Sequence, residues 1–145
     1  MNTTYHPDNF DHVHLAQQLL VDQPVLSTKL STACQVNPAA VVDLTTDLLR
    51  FLNLIAFADE TLTPSQTIDL AWHEFILCTR TYESFCQQHF GRMIHHEPGG
   101  DETTNRHRFS HALQLYTTYF GTPSPAFKGT HQLLATADCG ACQGV

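Results

Sequence analysis

The stretch that decides the fold runs from Thr63 to Pro98, TPSQTIDLAWHEFILCTRTYESFCQQHFGRMIHHEP, and it holds the only Trp of the chain. Thr63 is a candidate cap, Pro64 suits a first helical position and Gln66 completes a capping box. No Pro or Gly follows until Gly91, so the pattern predicts one helix of about seven turns. At about 100° per residue, Trp72, Phe75, Cys78, Tyr82, Phe85, Cys86 and Phe90 share one broad, buried face. Asp69, His73 and Arg80 fall on a narrow stripe at its edge, within roughly 40° of one another. Gly91 suits a left-handed cap, after which Arg92-Met93-Ile94 leads into His95-His96-Glu97-Pro98.

The run IDLAWHEFIL, Tyr82, Phe85-Cys86, Gly91 and IHHEP resembles the glycine-rich domain-containing protein-like family, a poorly characterised group. RFLNLIAFADETLTPS before it and LYTTYFG after it look like that family's flanking segments. The resemblance spans roughly Leu48 to Gly121, within a helical core of residues 36–121. It implies a helical domain of unknown activity, recognised by the Asp69-x-x-Trp72-His73 signature. Residues 122–145 form a C-terminal tail without an extended glycine-rich region.

Working outward, 145 residues are enough for a core of their own and fit a single domain, 1–145. Seven basic against fourteen acidic residues give a net charge of −7, which argues against nucleic-acid and anionic-membrane partners. An unidentified protein or small molecule is the partner expected. No basic stretch followed by an apolar run opens the chain, and no segment nears the roughly 20 apolar residues a membrane span needs. Five cysteines, an odd number, read as reduced thiols and a cytoplasmic location. Ten histidines are the unusual feature, both as pH-sensitive charges and as metal ligands.

Asp8 or Asn9 caps a first helix ending near Val21, with Phe10, Val13, Ala16, Gln17 and Leu20 along one side. His12 and His14 have no partner at helical spacing toward the core and are assigned to the surface. Val25 to Cys34 reads as a second helix and Ala39 to Ala58 as a third, apolar at Val41, Leu44, Leu48, Phe51, Leu52 and Ile55. The short connection Asp59-Glu60-Thr61-Leu62 favours an antiparallel hairpin with the central helix. A last long helix from Asn105 to Phe120 buries Phe109, Ala112, Leu113, Tyr116 and Phe120. The expected architecture is an all-α bundle of about five helices.

Two readings of the Asp69 and His73 pair follow. In one it is structural, with Arg80 neutralising Asp69, and the domain is a non-enzymatic interaction module. In the other Asp69 and His73 are metal ligands completed by His95 or His96, a carboxylate-imidazole set that suits zinc with an open position or non-haem iron. An unbroken helix to Gln88 carries the chain on the order of 20 Å away, so the second reading requires the segment after Gly91 to fold back. Cys139-x-x-Cys142 supplies half a zinc site, with His131 or His95 as further ligands. His107 and His111 stand one turn apart, opposite the apolar face of their helix, and are read as solvated. No phosphate loop, nucleophile elbow or metalloprotease motif occurs, and no organic cofactor is indicated.

Overall fold

The computed structural model describes residues 1–97 and 99–129. Cys139, Cys142 and His131 lie outside the described residues. Among those described the chain is all-helical. The described residues hold seven α-helices: α1 (His12–Asp22), α2 (Pro24–Cys34), α3 (Val41–Ala58), α4 (Gln66–Leu77), α5 (Thr79–Phe90), α6 (Glu102–Phe120) and α7 (Pro125–Lys128). Short 3-10 turns occupy Thr3–Tyr5, Pro7–Asn9 and Pro38–Ala40. No helix among the described residues is long and apolar enough to cross a membrane.

The centre is α3, with α1, α4 and α6 packed on it. Leu48, Leu49, Phe51, Leu52 and Leu54 are fully buried, so residues on every side of the helix are covered by its neighbours. Two of its buried polar residues are satisfied within the helix. Thr45 and Thr46 donate to the carbonyls of Val41 and Val42, at 2.7 and 2.8 Å. Asp59 in the left-handed region (φ 55°) ends the helix and begins the connection to α4. The α1–α3 pairing is the most extensive helix contact, so α1 belongs to the core alongside the helices expected there.

The predicted long central helix is two. It breaks at Cys78 (φ −84°, ψ 66°), whose N–H turns back to Phe75 O at 3.0 Å, while Cys78 O accepts the first bond of α5 from Tyr82 N at 2.8 Å. The sequence offers no Gly or Pro there. The break coincides with the β-branched pair Thr79 and Thr81, and Thr81 is tied to Gln23 at the α1–α2 junction through a 3.0 Å hydrogen bond. This break and the one-turn α7 raise the helix count from five to seven. The start of α4 also differs from expectation. Ser65, not Thr63, is the cap: its Oγ accepts from Ile68 N at 3.2 Å and donates to Ala126 O at 2.6 Å.

His12 corrects another expectation. It is 6% exposed, and its Nε2–H donates to Asn53 Oδ1 at 2.8 Å, a partner on α3 that helical spacing within α1 does not reveal. The last helix starts at Glu102 because Asp101 caps it, accepting from Thr104 N at 2.7 Å. Its most buried residues are Asn105, Ala112, Leu115 and Tyr116, so the helix is rotated slightly from the expected face.

Candidate metal centre

The break between α4 and α5 makes the site. Because α5 leaves α4 at Cys78, its far end does not carry the chain away along one axis. Gly91 closes α5 in the left-handed region (φ 69°), which favours glycine, and a Cβ there would also displace the Tyr5 hydroxyl. The following segment folds back toward α4. Ile94 is 1% exposed, and its carbonyl accepts from the Tyr82 hydroxyl. Two residues on, the ring of His96 packs on Trp72, with centroids 4.3 Å apart.

Asp69 sits in the first turn of α4, where the helix dipole favours a carboxylate, and it is 2% exposed. His96 donates Nε2–H to Asp69 Oδ1 at 2.6 Å. One turn along α4, His73 places Nε2 3.8 Å from Asp69 Oδ2. The His73 and His96 rings are 4.5 Å apart. One donor atom from each of Asp69, His73 and His96 lies within 4.8 Å of the others. An ion with bonds of about 2.1 Å needs neighbouring donors about 3.0 Å apart in an octahedron and roughly 3.4 Å in a tetrahedron. The separations of 2.6 Å to Oδ1 and 3.8 Å to Oδ2 lie on either side of those values, so chelation would require the three side chains to readjust and the His96 Nε2 proton to leave. His96 is nearly covered, while His73 is about a quarter exposed, so the cluster meets solvent on the His73 side.

The other sequence-derived candidates separate from this group. His95 is exposed and lines a cavity of about 420 Å³ whose walls include Ile55, Leu62, Trp72, Ile94 and Arg108. Adjacent side chains of the non-helical return segment face different ways, so only one of the two histidines reaches Asp69. Arg80 is exposed and makes no ion pair with Asp69; the turn at Cys78 removes it from the stripe it would share on a continuous helix. His107 is exposed, and His111 pairs through Nδ1 with Glu60 Oε1 at 2.5 Å.

A second polar cluster was not foreseen. Asp47 on α3 is 5% exposed and accepts from Tyr116 and Ser124 hydroxyls, each at 2.6 Å, while Arg50 Nη1 donates to Tyr116 at 2.9 Å. Burial, then the bond to Asp47, pushes the Tyr116 phenol up to about 12. Ser124 also caps α7 through Phe127 N at 3.1 Å, so the cluster joins α3, α6 and α7. Its sequence signal was the pair Asp47 and Arg50, of opposite charge, set among the core-forming leucines of α3.

The chain belongs to the UCP032817-like family, whose model matches residues 18–117. That family is uncharacterised, and nothing indicates a glycine-rich domain-containing protein. The resemblance drawn from Asp69-x-x-Trp72-His73 is therefore corrected. The pattern is three residues on one helix turn, too short to separate one helical family from another by itself. The matched region also takes in part of α1 and all of α2, which the resemblance left out. No curated protein and no solved structure matches the chain.

Proposed function

We propose that this protein is a helical domain that binds one divalent metal ion through Asp69, His73 and His96, with at least one coordination position left for an outside ligand. The observation that carries this reading is the convergence of one carboxylate and two imidazoles within 4.8 Å. Two histidines and a carboxylate suit zinc with an open position, or iron(II). The donors come from two points on one helix turn and a third on a loop 23 residues beyond His73, an arrangement that packing alone does not demand. The ion would supply Lewis-acid character to a bound water or small ligand.

The test is metal content by mass spectrometry on protein purified without a metal-affinity column, a precaution that ten histidines make necessary. About one zinc or iron per chain is expected. His73→Ala should abolish stoichiometric binding and Asp69→Asn should weaken it, because the amide keeps the shape and loses the charge. Folded, metal-free wild-type protein that takes up no added zinc or iron(II) would overturn the reading.

One observation favours a second reading. The 2.6 Å bond from His96 to Asp69 is complete without an ion, as a structural pair in an interaction module would be. In that case Asp69→Asn and His96→Ala lower stability by a few kcal/mol and leave metal content unchanged.

A further inference from the structure

We propose that Tyr82 is the positioning residue of the metal site, holding through its hydroxyl the loop that carries His96. This inference rests on the metal-binding reading and concerns how the third ligand is kept in reach. His96 lies on a segment without helical bonds of its own, so its place must be set by what grips the segment. Tyr82 grips it directly. Its hydroxyl accepts from Trp72 Nε1 at 2.9 Å and donates to the carbonyl of Ile94, two residues before His96. Both capacities of the hydroxyl are thereby used, one on α4 and one on the return loop. The Trp72 ring so fixed is the surface on which the His96 ring rests.

The hydroxyl is thus common to the two supports of His96, the loop backbone and the indole. Burial pushes the phenol above its ordinary value, which keeps the hydroxyl a donor. Residues that orient metal ligands in this way change affinity about 10- to 100-fold when removed.

Tyr82→Phe tests the idea, since the ring keeps its edge contact with Phe75 at 4.8 Å and only the hydroxyl goes. Zinc affinity measured by competition with a chelating dye should fall about 10-fold or more, with the helical circular dichroism unchanged. Emission of the sole tryptophan should also shift, because its N–H loses its acceptor. Phe75→Leu disturbs the same packing without touching the hydroxyl and should leave zinc affinity near that of wild type. Should Tyr82→Phe fail to fold, Trp72→Phe removes the indole donor together with part of the ring beneath His96 and should produce a loss in the same direction. Unchanged zinc affinity in a folded Tyr82→Phe, or in Trp72→Phe, overturns the proposal.

Wild-type protein that binds neither zinc nor iron(II) would refute the metal reading, and positioning is then read from the imidazole itself. Nitrogen NMR should find the His96 Nε2–H protected from exchange in wild type and unprotected in Tyr82→Phe. Equal protection in both would show that the hydroxyl does not place His96.

Discussion

His12→Ala probes the contact that ties the first helix to the central one. Removing the imidazole leaves Asn53 Oδ1 without the donor that meets it at 2.8 Å, in a residue that is fully buried. An orphaned buried acceptor costs about 1–3 kcal/mol, and lost burial of the ring between Phe10 and Phe120 adds about 1. The expected loss is about 2–4 kcal/mol at pH 7.5, a large fraction of a domain's total. A second signature comes from pH. Burial, with Arg50 acting the same way, holds the folded-state pKa of His12 below its ordinary 6.5, so the unfolded chain takes up the proton first. Its contribution is complete above about pH 6.5 and is lost as pH falls through the lowered value, at up to about 1.4 kcal/mol per pH unit. His89, lowered by burial too, supplies a slope that survives the substitution. Urea unfolding at pH 7.5, 6.5 and 5.5 should show the gap between wild type and variant narrowing as the solution is acidified. A gap that stays constant, or one below about 0.5 kcal/mol at pH 7.5, would refute this account of His12.

Trp72→Ala should cost about 3–5 kcal/mol in the same assay, since a 3% exposed ring leaves the core and Tyr82 loses its donor; a barely moved midpoint would mean the ring is not buried. Gly91→Ala should destabilise by more than about 1 kcal/mol, because a left-handed residue gains a Cβ where the Tyr5 hydroxyl stands. A neutral result there would show that the N-terminal segment does not pack on this turn. His107→Ala with His111→Ala should change stability by no more than about 0.5 kcal/mol per site, the His111–Glu60 pair being at the surface; a large loss would mean that this face of α6 is buried.

Periodicity made much of this fold legible. The apolar positions of α3 recur at threes and fours, and Trp72, Phe75, Tyr82, Phe85, Cys86 and Phe90 are buried, although Cys78, expected on the same face, is half-buried and splits that face between two helices. The break at Cys78 was hidden because its cause is partly tertiary: the Thr81–Gln23 bond crosses 58 residues of sequence. That omission made the return of the loop histidines look difficult, whereas two shorter helices bring it about. Asp69 and His73 were visible as a pair by helical spacing, but the choice between His95 and His96 depends on which way each side chain leaves an irregular segment, and no periodic rule applies there. His12 and the Asp47 cluster escaped for the same reason, their partners lying 41, 69 and 77 residues away in sequence.

The central claim is that one ion is held by Asp69, His73 and His96 and not by the neighbouring His95. Zinc and iron(II) titrations of His95→Ala and His96→Ala, side by side with wild type, test it most directly. Wild type and His95→Ala should each bind one ion with similar affinity, while a folded His96→Ala should bind none stoichiometrically. Binding lost equally in both variants, or retained in His96→Ala, would contradict it.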